Sequence, residues 1–268
     1  VERSRLKNII IVILALVNAF LIFSLSIRHF SGQAARNRTV SELSALFRND
    51  GVELNTDGLP DTLPPAGGTL TRDLAADKAA AVFLLSDVTD IRNEGGGIYT
   101  YSGSGGRATF RSGGSFDASG TLAGTGAETL CRKFCKTFGY EELAFSLDDS
   151  GSGTASAVQF FSGRPVINAT VTFILENYTL ISVSGIHLPS TFSAASGGGS
   201  MTAATALTRF LSARRESGAV VSAVTDVQLC YQLQGATAST VLLSPAWQIT
   251  TDIGYYYVNC SSGLVSRS

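Results

Sequence analysis

The sequence predicts an α+β fold: an N-terminal transmembrane helix followed by antiparallel sheets with packed helices, arranged as two similar helix-plus-strands modules. Three observations predict it. Residues 9–27, IIIVILALVNAFLIFSLSI, run nineteen positions without a charge. Behind them, apolar and polar residues alternate with period two in many short runs broken by Gly/Ser turns. Helix-period stretches precede such strands twice, so that helix, strand, strand and strand hairpin occur at 126–188 and again at 201–265. Strands mixed with helices on one side favour antiparallel pairing.

The anchor comes first in the chain. At about 1.5 Å per residue its nineteen residues span roughly 28 Å, close to the hydrocarbon core of a bilayer. A cleaved signal peptide has a shorter apolar core of about 7–15 residues. Gly32-Gln33-Ala34 offers a weak cleavage site, so cleavage is the second reading. Arg3, Arg5 and Lys7 precede the span and Arg28, Arg36 and Arg38 follow it. The denser N-terminal cluster places residues 1–8 in the cytoplasm and the bulk of the chain outside, as a single-pass plasma-membrane protein. Ala15, Asn18, Ala19, Ile22 and Ser26 fall at three- and four-residue steps along the span. They form a stripe of small and polar groups suited to a neighbouring helix; the alternative is that Asn18 bonds within its own helix.

Residues 28–68 read as a juxtamembrane helix and linker. Val40, Leu43, Leu46 and Phe47 keep helical spacing and Gly51 stops it, while Pro60, Pro64 and Pro65 mark extended chain. A first extracytoplasmic α+β region covers 69–192. It opens on a helix over Asp73–Leu85 with Leu74, Ala81, Leu84 and Leu85 available for a core. IYTY (98–101) and RATFRS (107–112) make a hairpin about Gly103–Gly106. The G-x-G-x-x-A match at Gly103–Ala108 lacks the strand-then-helix setting of a dinucleotide site. From Glu128 a helix presents Leu130, Phe134 and Phe138 and closes at Gly139. Strands LAFSL (143–147), SAVQFF (156–161), VINATVTFIL (166–175) and Tyr178–Leu188 follow. A Ser/Gly linker, Ser193–Ser200, leads to the C-terminal module, 201–268. There Thr202 caps a helix bearing Leu207, Phe210 and Leu211. Strands 224–233, 245–252 and 254–260 complete it, with Trp247 and Ile249 on one buried face.

Composition narrows the function. Charged residues are 15 % of the chain and the net charge is −1, which gives no basic footprint for nucleic acid. Cys131 and Cys135 share a helix face and read as small buried residues; Cys230 and Cys260 pair only if their strands are neighbours. With His29 and His187 as the two histidines, no paired Cys/His spacing for a metal arises. Asp148-Asp149 sit beside Gly151-Ser152-Gly153 as a solvated turn, and His187 reads as a surface or half-buried side chain. No nucleophile elbow or phosphate loop occurs, so no catalytic, cofactor or metal residues and no small-molecule substrate are assigned. Sequons at Asn37, Asn168, Asn177 and Asn259 matter only in a eukaryotic secretory pathway, and chance supplies them in so Ser/Thr-rich a chain.

Three stretches carry a resemblance: RSRLKNIIIVILALVNAFLIF at the start, GGGIYTYSGSGGRATFRSGGSF in the middle and PAWQITTDIGYYYVNCSSGLV at the end. Together they resemble the YycI family with its YycH-like regulatory domain. The last segment is similar to the closing hairpin of PepSY-type domains. The chain departs from the family at Glu2-Arg3-Ser4, where a Trp is expected, and in its glycine-rich middle. The resemblance implies a membrane-anchored accessory protein of the WalK–WalR two-component system of Gram-positive bacteria. Its partners would be a WalK-like sensor histidine kinase and a YycH-like protein, with no catalytic residues. The alternative is a PepSY-like module that binds or inhibits a cell-envelope enzyme or assembly factor.

Overall fold

Each helix is set by an apolar stripe and a local stop signal. The computed structural model describes residues 36–123, 126–188, 191–195, 201–237 and 239–267. Helix α1 covers residues 36–49; it buries Leu43 and Phe47, and Gly51 follows with φ +70. After the short strand β1 (Glu53–Leu54) the chain is irregular to residue 67, with Leu59 and Pro64 buried. The proline-rich stretch is therefore extended, as expected, but packed. Among the described residues no helix is long and apolar enough to cross a membrane. The expected span at 9–27 lies outside them.

Strand β2 (Gly68–Thr71) leads into α2 (Leu74–Leu85), whose N-cap Asp73 accepts a hydrogen bond from Ala75 N. Ala80, Ala81, Leu84 and Leu85 are buried, whereas Leu74 is 42 % exposed. The expected place of Leu74 in the core is thus corrected. The buried position one turn on is taken by Asp77, held by Arg72, and not by a leucine. Next come β3 (Asp90–Gly95), β4 (Ile98–Gly103), β5 (Gly106–Phe110), a 3₁₀ turn (Ser112–Gly114) and β6 (Ser115–Ala123). Helix α3 (Ala127–Phe138) ends on Gly139 in the left-handed region, whose N–H bonds Cys135 O. Strands β7 (Tyr140–Leu147), β8 (Gly153–Phe161), β9 (Arg164–Glu176) and β10 (Thr179–Ile186) follow and pair in chain order.

β11 (Thr191–Ala194) occupies part of the expected Ser/Gly linker; residues 196–200 lie outside the description. Helix α4 (Ala203–Ser217) is capped by Thr202, as predicted, through Thr205 N. It is followed by β12 (Ala223–Ala236), β13 (Thr240–Thr251), β14 (Gly254–Asn259) and β15 (Val265–Arg267), again paired in chain order. Trp247 and Ile249 are buried on one face, as the alternation predicts, and Trp247 Nε1 donates to Met201 O at 2.9 Å.

These strands form two sheets, antiparallel within each apart from the parallel pair of β1 with β12. The first has the order β7-β8-β9-β10-β6-β5-β4-β3 and packs one face against α2 and α3 around Phe110, Phe116, Phe134 and Phe173. The second runs β11-β2-β13-β12, with β14 and β15 beside β13, and packs against α1 and α4 around Phe47, Phe210, Trp247 and Tyr256. β2 and β11 thus join the sheet of the C-terminal module although they flank the first. The sheets meet at a single parallel bridge, Tyr231 on β12 with Val166 on β9. A third, smaller core fills that joint: Leu70, Val166, Ala169, Leu188, Tyr231 and Leu243.

Candidate interaction surface

Two helices distant in sequence, α1 and α4, make a surface with a hollow between them. Leu43 of α1 lies at the level of Ala204 and Thr208, Phe47 stacks on Phe210 at 6.3 Å, and Asp50 meets Arg214 and Arg215. The levels rise together, so α1 and α4 run side by side in the same direction. Small residues at 203, 204 and 206 of α4 permit the approach.

Both ends of α1 are tied down. Arg215 donates from Nε and Nη2 to the two oxygens of Asp50 at 2.6 and 2.7 Å, a fork-to-fork pair. Arg214 reaches the Asp50 carbonyl at 3.4 Å and the Val221 carbonyl at 3.2 Å. The Arg215 hydrogen bond holds the Asp50 carboxyl below its ordinary range. At the other end Arg36 donates to Leu59 O at 2.8 Å. Between the helices opens a hollow of about 500 Å³. Its floor is Leu43, Leu46 and Ala204, and its rim is Thr39, Glu42, Thr205 and Thr208. A second hollow of about 220 Å³ lies on the other flank of α1, beside Leu59, Pro60 and Asp61. Glu42 is the one carboxylate on the rim of the first, and Arg38 engages it at 2.9 Å. Such a lining is fit for packing against another chain rather than for acid–base chemistry.

The residues singled out in the sequence are scattered. The stripe Ala15, Asn18, Ala19, Ile22 and Ser26 lies outside the described residues. Cys131 and Cys135 are buried on α3, where burial pushes the thiols up to about 12 and about 11. Cys230 and Cys260 are free, buried and likewise raised to about 12. Cys230 is opposite Ala246, and Ala246 is opposite Asn259, so β13 stands between the two cysteines. Two strand spacings put them about 10 Å apart, beyond the roughly 7 Å a disulfide spans. Asp148 Oδ1 accepts from Ser150 N, Ser150 Oγ and Ser152 N, which lowers its carboxyl; the turn is the expected solvated one. Gly103–Gly106 is a hairpin turn, as expected. No group of three or more His, Cys, Asp or Glu suited to a metal occurs among the described residues.

His187 is a correction. It is buried, not half-exposed, with its ring edge-on to Phe110, Phe116 and Phe138. It follows β10 directly, where the alternation breaks at the joint between the sheets, so a polar residue falls on the inner side. Two of the sequons are engaged structurally. Asn259 is buried and caps the turn at Ser261 and Ser262. Asn168 donates to Leu233 O at 2.9 Å and accepts from Leu233 N at 2.8 Å, extending the bridge between β9 and β12 by a side chain.

Sequence reasoning missed the pairs Asp50–Arg215, Arg72–Asp77 and Asn168–Leu233. The first and last are separated by 165 and 65 residues, and no periodicity links such positions.

The chain matches no protein-family model and no curated protein. Three solved structures are similar in outline. An uncharacterized protein from Eubacterium rectale is 13% identical over 81% of this chain and 90% of its own, with a TM-score of 0.49. YycH from Bacillus subtilis is 17% identical over 77% of this chain and 54% of its own, at 0.40. The C-terminal domain of YpeB from Bacillus megaterium is 12% identical over 74% of this chain and 98% of its own, at 0.35. Likeness at this level decides neither family nor activity.

Proposed function

We infer that the chain is a membrane-anchored, non-enzymatic regulator that acts by contact on a cell-envelope sensor histidine kinase, its bulk outside the plasma membrane. The observation that carries the reading is the fastening of α1. The apolar span ends at Ile27, eight residues (28–35) before α1 comes into description at Arg36. α1 is then bound to α4 by Phe47–Phe210 stacking and the Asp50–Arg215 fork. In this reading a shift or rotation of the span is passed through α1 to the core of the C-terminal module. The stretches that resemble the YycI family support the choice of a WalK-like kinase and a YycH-like protein as partners.

The test is crosslinking in membranes of the native host, with protein level checked. Ala15→Leu with Ala19→Leu should reduce kinase capture several-fold, because close packing of helices needs small residues at the contact. Leu14→Ile, on another face, should leave it unchanged. Equal capture by both variants would reduce the span to a tether. A reporter active only outside the cell, fused after Ser268, should be active; activity of a cytoplasmic reporter alone would remove the whole reading.

A further inference from the structure

We propose that His187 is an acid-operated latch on the joint between the two sheets. The geometry comes first. Neither ring nitrogen has a hydrogen-bond partner, although the side chain is buried. Three phenylalanines surround the ring at centroid distances of 5.3 to 6.5 Å, all edge-to-face. The residue also occupies the point where the first sheet is fastened to the second. Its N–H donates to Gly114 O at 2.8 Å, and the 3₁₀ turn that carries Gly114 packs against β13. Its neighbours on either side, Ile186 and Leu188, belong to the core of the joint.

The cage offers no counter-charge. On the surrounding elements, α3 carries Glu128, Cys131, Arg132, Lys133, Cys135 and Lys136, β5 carries Arg107, β6 Asp117 and β7 Tyr140, Glu141 and Glu142, with Arg111 and Arg72 beside them; Arg107, Glu128, Arg132, Lys133, Lys136, Glu141 and Glu142 are exposed. Tyr140 gives its hydroxyl hydrogen to Ile186 O, Arg111 is taken by Asp117, and Arg72 by Asp77. Burial lowers the imidazole to about 4 from an ordinary value near 6.5. Protonation must therefore expel the ring toward water. Leaving the cage draws out the segment Ile186–Leu188, and with it the contact to Gly114 and the core at Leu70, Tyr231 and Leu243. The movement empties the place between Phe110, Phe116 and Phe138 and breaks the Tyr140 bond to Ile186 O, whereas Phe173 and Trp247 make no ring contact with His187 and keep their packing.

The sign follows from the folded value lying below the unfolded one. The latch is fully closed above about pH 6.5 and is lost as pH falls toward 4. Those two values set an increase in joint opening of about twenty-fold between pH 7 and pH 5. The measurement is amide exchange on the full chain in nanodiscs, corrected for the intrinsic effect of pH. Exchange at residues 186–188, 114 and 231–233 should rise by that factor, while the strands around Phe173 and Trp247 stay protected. His187→Phe should abolish the rise. A rise that persists in His187→Phe, no rise in the wild type, or simultaneous loss of protection at Phe173 and Trp247 would each overturn the latch. If His187→Phe does not fold, a ¹³C titration of His187 in a His29→Gln background decides it. Titration below pH 5 with shifts at Leu233 supports the latch, and an ordinary value near 6.5 sinks it.

Discussion

Arg72 leaves β2, in the second sheet, and ends inside the first module. Its Nε meets Asp77 at 2.8 Å, its two terminal nitrogens bond Gly97 O and Phe110 O, and its plane covers Tyr99 at 5.2 Å. Both members of the pair are buried. Burial nevertheless raises the Asp77 carboxyl, and the nearby guanidinium offsets this only in part. The pair is therefore a positioning device and adds little net stability. Arg72→Met should cost about 3–5 kcal/mol, because it leaves a buried carboxylate alone. Adding Asp77→Leu should recover most of that loss. Urea unfolding of the two variants checks this; a double variant as weak as the single one would show that the carbonyl bonds of Arg72 dominate.

At the scale of elements, α1 is half foundation and half lever. Its apolar stripe builds the same core as α4, yet it is the piece closest in sequence to the apolar span. Asp50→Asn removes the charge from the fork with Arg215, an exposed contact whose loss should leave the melting temperature almost unchanged. The last turn of α1 should nevertheless exchange its amides faster and, under the proposed function, kinase regulation should fall while protein level holds. Normal regulation in Asp50→Asn would show that Leu43, Phe47 and the Arg36 and Arg214 bonds fasten the helix without the fork. Elements with a strong period were legible in the sequence: α1 from Leu43 and Phe47, α3 from Phe134 and its Gly139 stop, and β13 about Trp247. β3 was not, because DIRNEG is an edge strand exposed along its whole length and has no apolar face to show. β6 was hidden by its small residues, where Ala118 serves as a core position and Gly120 as a close approach to Gly106. The interaction surface was legible in part: the stripes of α1 and α4 were visible, but their pairing depends on contacts between distant segments.

At the scale of the molecule, two sheets are held by one bridge, one amide, the reach of Arg72 into the first module, the His187–Gly114 contact and a small apolar core. Asn168 supplies two hydrogen bonds where the parallel ladder would otherwise stop. Asn168→Ala should cost about 1–3 kcal/mol, at roughly 0.5–1.5 per bond, and should separate the unfolding of the two halves. Trp247, the single tryptophan, reports on the C-terminal half, and far-ultraviolet circular dichroism reports on both. The two curves should coincide in the wild type and diverge in the variant. Curves that still coincide would place the coupling in the core around Tyr231 and Leu243.

The pairing of β2 with β11 also sets an order in time. Everything between these neighbouring strands is continuous in sequence, and the first core is built from residues 80–183 alone. That part has all it needs to condense while the chain is still being synthesised, when domains form as units from the N-terminal side. The half that contains α1 has no such freedom. Leu43 and Phe47 emerge early, but Phe210, Trp247 and Tyr256, which cover them, are made last. The first described helix waits for strands made far later. Its bare apolar stripe is a surface that a chaperone has to shield until those strands are made.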